Sequence, residues 1–257
     1  MRALVQLYYV GAYYLSYLWF GLGGLLLNVV CAALLVIPGR VRFGGRVRAT
    51  IRWMFSWWLK WMHASGVVRV RWHGFDQVTL SLGTVYVANH PTLVDAPFLL
   101  AALPDAICIF KPALLRNPFI APAAILAGYA AGDKGVDLIR EAAERVAAGR
   151  TLLIFPEGTR TTPGTALNPL KPGFALIAQR AHAPIRLISV RASPHLVPRG
   201  RPWWKPPVLP GSMDITLDQE IPADTELTPT EITATVEARL ASLAVVVPVY
   251  RPACPVP

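Results

Sequence analysis

The chain has 257 residues, of which 54% are hydrophobic and only 16% charged, with 25 Lys and Arg against 15 Asp and Glu for a net charge of +10. That is too apolar for an ordinary soluble domain and leaves hydrophobic residues over for a membrane. The positive balance asks for an anionic partner, with nucleic acid, lipid headgroups and phosphorylated substrates all eligible. Cys31, Cys108 and Cys254 have neither the spacing of a zinc site nor that of a disulfide framework.

The first element is the plainest. The 37 positions between Arg2 and Arg40 carry no charge, where roughly 20 suffice for a spanning helix. The run is too long and too aromatic for a cleaved signal peptide. Gly21, Gly23 and Gly24 divide it and Asn28 sits inside it, so one tilted span and a re-entrant pair of helices both remain open. Arg40, Arg42, Arg46, Arg48 and Arg52 follow, marking that flank as cytoplasmic. A helix is expected from about Val47 to Ala64, with Trp53, Trp57 and Trp61 on one stripe. The stripe reads either as core packing or, preferred here, as a membrane-interface face.

From Val67 the pattern becomes that of an α/β domain. Val67 to Trp72, Thr84 to Ala88, Thr151 to Phe155 and Ile185 to Val190 read as strands, and Asp137 to Ala148 as an amphipathic helix. This alternation predicts a mixed, largely parallel sheet flanked by helices. The expected organisation is a membrane-associated helical region over 1–64, a catalytic domain over 65–245 and a proline-rich, disordered tail over 246–257.

Two motifs carry the chemistry. Asn89-His90-Pro91-Thr92-Leu93-Val94-Asp95 follows a buried strand, at the edge where parallel sheets place their sites. Asp95 in a first helical turn can fold back on His90 and fix its tautomer, freeing the other ring nitrogen as a general base. Phe155-Pro156-Glu157-Gly158-Thr159-Arg160 also follows a buried strand. If the two strands are parallel, Glu157 and Arg160 lie near His90, and the Arg fork suits a phosphate. Taken singly, each motif could be structural: a His–Asp pair in a loop, a Glu–Arg pair on a turn.

Together, N-H-x4-D followed by F-P-E-G-T-R resembles the 1-acylglycerol-3-phosphate acyltransferases and related lysophospholipid acyltransferases, over about Thr84 to Val190 with a hydrophobic lead. The resemblance implies an O-acyltransferase with the glycerolipid acyltransferase-like fold and a membrane-embedded amino-terminal hairpin. It implies His90 as general base, Asp95 as its orienting partner, and Glu157, Gly158, Thr159 and Arg160 at the acceptor. It implies an acyl-CoA or acyl-carrier protein donor, a lysophospholipid acceptor such as lysophosphatidic acid, and neither metal nor cofactor. The block between the motifs departs from the family, with Lys134 standing where an Arg binds phosphate. Lys134 and Lys111 are then headgroup candidates, and another lysolipid, a lyso-ornithine lipid or an aryl-polyene lipid, competes as acceptor. Trp203-Trp204-Lys205-Pro206-Pro207 is loosely similar to segments of acyltransferases from specialised lipid clusters, and suits an interfacial anchor.

Other classes fit less well. His63, His73, His182 and His195 lack metalloprotease spacing, and no G-x-S-x-G elbow or Walker loop is present. A non-catalytic, membrane-anchored module for anionic lipid or nucleic acid would match the composition but leave both motifs unexplained. The expected location is the inner membrane, with the catalytic domain on its cytoplasmic side.

Overall fold

The computed structural model describes residues 2–76, 80–110, 112–118, 120–132, 135–194 and 196–244. Lys111, Lys134 and the 246–257 tail therefore lie outside the described residues, as does His195.

The uncharged run forms one helix, α1 (Arg2–Leu35), about 50 Å long at 1.5 Å per residue. A turn and a short 3₁₀ piece (Arg40–Phe43) reverse the chain into α2 (Gly44–Ala64), which packs back along α1. The glycines do not divide α1. A Cβ at Gly23 would lie 2.9 Å from Met54 Cε on α2, so this glycine lets the two helices close on each other. Asn28 is 8% exposed, and its Oδ1 accepts from the Ala123 amide at 3.1 Å. That amide belongs to the first turn of a later helix, where backbone donors lack partners. The polar residue inside the apolar run thus caps a neighbour.

The α/β domain follows as β1 (Val68–His73), β2 (Val85–Ala88), α3 (Asp95–Ala102), β3 (Ala106–Phe110), α4 (Pro112–Leu115), α5 (Ala121–Ala127) and β4 (Ala130–Ala131). It continues with α6 (Gly135–Ala147), β5 (Thr151–Ile154), α7 (Gly173–Ala181), β6 (Ile185–Ser193), β7 (Gly211–Ile221) and α8 (Pro229–Ala244). The strands form one sheet in the order β1-β7-β6-β2-β5-β3-β4. Every neighbouring pair is parallel except β6 and β7. Helices α1, α2, α3 and α5 pack among themselves, as do α6, α7 and α8. Between them β2 is buried at every position, the continuous apolar pattern of a strand covered on both faces.

The mixed, largely parallel sheet matches the sequence reading, with element ends moved by one to three residues. Sequence reading missed β3, the two-residue β4 and the long β7. The last alternates buried and half-exposed residues over most of its length, but its Ser, Asp, Thr and Gln masked the period.

Candidate active site

Strand β2 ends at Ala88, and the next residue locks the sheet edge. Asn89, 3% exposed, donates from Nδ2 to the Val190 carbonyl at 2.9 Å and accepts from the Val190 amide at 2.7 Å. Its side chain imitates one more rung of backbone pairing with β6, so the chain leaves the sheet at His90 in a fixed direction. Pro91 keeps it from continuing as strand. Asp95 then opens α3, fully buried.

The Asp95 carboxylate makes three contacts. His90 Nδ1 lies 3.0 Å from Oδ2, the Thr92 amide donates to Oδ2 at 2.7 Å, and the Thr92 hydroxyl donates to Oδ1. These contacts fix the carboxylate in place, and with Oδ2 as acceptor Nδ1 is the ring nitrogen that carries the proton. Nε2 is then the nitrogen with the free lone pair. The ring stacks on Phe155, with centroids 4.3 Å apart and planes inclined by 26°, which removes its remaining rotational freedom. His90 itself is half-buried, its side chain 18% exposed, so a substrate can reach it.

Parallel pairing of β2 with β5 brings the second motif to the same edge. Glu157, 5% exposed, spends both oxygens on its own chain. Oε1 accepts from the His90 amide at 2.8 Å and the Thr161 hydroxyl at 2.9 Å, and Oε2 from the Asn168 amide at 2.9 Å. The Thr161 amide returns a bond to the His90 carbonyl at 2.7 Å. Glu157 therefore staples the two motif loops together. Its sequence-expected place at the acceptor becomes, in this geometry, a place behind the base.

Gly158 has a φ of +67°, left-handed backbone that favours glycine. Arg160 is half-buried and donates from Nη1 to the carbonyls of Val197 at 2.8 Å and Pro198 at 3.0 Å, leaving Nε and Nη2 uncommitted among the described residues. Burial draws the Arg160 guanidinium below its ordinary pKa, against the pull of Asp95, and Arg199 adds to the fall. It keeps its charge at any physiological pH. Thr159 is half-buried on the same turn.

Three members of the site escaped the sequence reading. Thr161 and Asn168 complete the Glu157 staple. Lys171 is exposed, its Nζ 3.3 Å from where a Cβ on Gly158 would sit, with no ion-pair or hydrogen-bond partner for its ammonium among the described residues. No sequence spacing announces Lys171, because a loop folds it back through its amide to the Pro156 carbonyl at 3.1 Å.

An Asp–His pair at the carboxyl ends of parallel strands, joined by a Glu to a loop bearing Arg160 and Lys171, sets a candidate base near two cations. Residues 69–193 match the family model for acyltransferases. The stretch that carries both motifs is thus similar to the acyltransferases. The chain is 38% identical over 100 residues to the 1-acyl-sn-glycerol-3-phosphate acyltransferase of Helicobacter pylori, a match covering 37% of this chain and 42% of that protein. It is 32% identical over 108 residues to the coconut (Cocos nucifera) protein of the same name, covering 39% of this chain and 35% of that one. The matched segment thus spans less than half the length of either relative. A solved acyltransferase structure, the 1-acyl-sn-glycerophosphate (LPA) acyltransferase PlsC from Thermotoga maritima, superposes with a TM-score of 0.72. The superposition covers 95% of this chain and 96% of that one at 21% identity, and shows the shared fold.

The remaining sequence candidates lie apart from His90. Trp53, Trp57 and Trp61 are 57%, 51% and 45% exposed, facing away from the core side of α2 that holds Ile51, Met54, Trp58 and Met62. Arg48, read as one of the cytoplasmic-flank arginines, is buried instead and bonds through Nε to Asp105 at 2.5 Å. Trp203 stacks on Tyr17 of α1, and the carbonyls of Trp203 and Trp204 accept from the Tyr13 and Tyr14 hydroxyls at 2.6 and 2.8 Å.

Proposed function

We propose that this protein moves a fatty-acyl group from a thioester, acyl-CoA or acyl-carrier protein, to the free hydroxyl of lysophosphatidic acid, giving phosphatidic acid. The observation that carries this reading is the His90–Asp95 pair with Nε2 free, set beside uncommitted donors on Arg160 and Lys171. In the step, Nε2 takes the acceptor hydroxyl proton while the oxygen attacks the thioester carbonyl carbon. The tetrahedral intermediate collapses, the carbon–sulfur bond breaks, and the departing thiolate recovers the proton from the imidazolium. Asp95 stabilises that cation between the two transfers. Transfer is direct, with no acyl-enzyme, metal or cofactor in the scheme. Arg160 and Lys171 hold the acceptor phosphate, with Thr159 and the open Gly158 backbone lining its approach.

The reading places the protein on a membrane. Helix α1 is long and apolar enough to cross one, yet it is bonded to the domain from Gln6, which donates to Leu209, as far as Asn28, which caps α5. Some 22 residues, about 33 Å, run alongside the domain, so α1 and α2 are read as a hairpin seated in one leaflet rather than a free span. Exposed Leu4, Leu7, Leu15, Leu18, Leu22 and Leu26, with Trp53, Trp57 and Trp61, form the lipid face. That Arg40, Arg42 and Arg46 are exposed supports a catalytic domain on the cytoplasmic side of the inner membrane.

The test is acyl transfer in lipid nanodiscs, wild type beside His90→Ala, with palmitoyl-CoA and palmitoyl-carrier protein as donors. Lysophosphatidic acid and a panel of other lysolipids serve as acceptors. His90→Ala is expected to lose roughly 10²–10⁴ in turnover with its unfolding transition retained. Transfer only to another lysolipid moves the acceptor and keeps the mechanism. Turnover indifferent to His90 refutes it.

A further inference from the structure

A cavity of about 380 Å³ lies at the opposite end of the sheet from His90, where α2 crosses the start of β3. It is lined by Arg48, Arg52, Lys60, Trp53, Trp57 and Tyr129. Arg48 is only 7% exposed. Its Nε is bonded to Asp105 and its Nη1 to the Ala127 carbonyl at 2.9 Å, but Nη2 is sealed from water and has no partner among the described residues. Nη1 lies against Gly44 and Nη2 against Gly45, and of the two glycines only Gly45 lines this cavity. A shielded guanidinium donor left unpaired is a strong demand for an acceptor.

The surrounding charge says what kind. Arg52 donates Nε and Nη2 to the Ala101 and Ala102 carbonyls at the end of α3, both at 3.2 Å, which leaves Nη1. Lys60 lies 5.4 Å over the Trp57 ring, with no carboxylate partner among the described residues. The cavity's one carboxylate, Asp105, is already shared by Arg48 and Arg150. Two exposed cations, Arg52 and Lys60, thus face the cavity, with Arg48 in its wall paired to the single lining carboxylate. The mouth is framed by Trp53 and Trp57, the exposed indoles of the face that enters the lipid in the reading above. A phosphate fills only a fraction of the volume, and the indoles offer the rest to the glycerol and upper acyl chains of the same molecule.

We propose that this cavity binds the phosphate of an anionic phospholipid of the host membrane, as a second lipid site separate from the catalytic one. The proposal rests on the membrane placement of α2 in the functional reading, and does not depend on acyl transfer.

The test measures lipid binding by titration calorimetry on the full chain in neutral detergent. An Arg160→Gln background weakens binding at the active site. The probes are dioctanoyl phosphatidylglycerol, dioctanoyl phosphatidylcholine and inorganic phosphate. Phosphatidylglycerol is expected to bind at least about tenfold more tightly than phosphatidylcholine, the difference one charge-assisted contact supplies. Lys60→Gln and Arg52→Gln, made singly, should each weaken it several-fold, and Lys60→Gln touches no hydrogen bond of the fold. Inorganic phosphate competing at equal concentration would overturn the lipid assignment in favour of a free-anion site. Equal affinity for the two lipids, or affinity unmoved by both variants, would overturn the site itself. Loss of His90-dependent transfer with phosphatidylglycerol binding retained would count against the catalytic reading alone.

Discussion

Glu157→Gln separates two roles for the second motif, touching the acceptor or holding the base. In the structure Oε1 receives the His90 amide and the Thr161 hydroxyl, and Oε2 receives the Asn168 amide. Glutamine can keep its carbonyl oxygen on the first pair, but its NH₂ then faces the Asn168 amide, donor against donor. One charge-assisted bond is lost and a buried amide is left unpaired, a cost of about 1.5–3 kcal/mol. If about half of that reaches the His90 loop, turnover falls by about three- to twelvefold, since 1.4 kcal/mol is a factor of ten. The acceptor KM should stay within about twofold, because no uncommitted oxygen of Glu157 faces the substrate. The assay pairs urea denaturation with steady-state transfer at varied acceptor concentration. A raised KM with turnover and stability unchanged would refute the reasoning and return Glu157 to the acceptor.

Two further outcomes follow from the same geometry. Asp95→Asn leaves the loop filled but deprives His90 of its anion. Turnover should fall by roughly 10²–10⁴, while acceptor binding, measured on the inactive His90→Ala protein and on Asp95→Asn, agrees between the two. The Asp214 carboxyl is held at about 2, chiefly by its hydrogen bonds from Arg71 against the upward pull of burial, with His73 adding to the fall. Its folded pKa lies below the unfolded value, so its stabilisation is full above about pH 4 and is lost as pH falls towards 2. Because Arg71 is exposed, screening limits this to about 1 kcal/mol. Comparing urea midpoints at pH 5 and pH 2.5, Asp214→Asn should lose less stability than wild type by about that amount, and an equal loss in both would refute the assignment.

The sequence by itself determined where the two motifs fall. His90 and Asp95 are five residues apart across a strand end, and Glu157 to Arg160 follow another, so local backbone geometry alone places each motif at a sheet edge. Apolar β-branched runs at Val85 to Ala88 and Thr151 to Ile154 likewise mark strands buried on both faces. What local pattern could not decide was everything set by contacts between distant segments. Whether Gly23 breaks α1 or admits Met54 depends on what packs against it, as does whether Asn28 breaks the apolar run or caps α5. Arg48 reads as a solvated arginine until Asp105, 57 residues away, is folded against it. Glu157 reads as a substrate ligand from its motif alone, and only the fold shows its two oxygens on the amides of His90, from the other motif loop, and Asn168, from its own. A side chain's partners are a property of the folded chain. Residue type and spacing fix which interactions are available, and only tertiary packing selects those that are made.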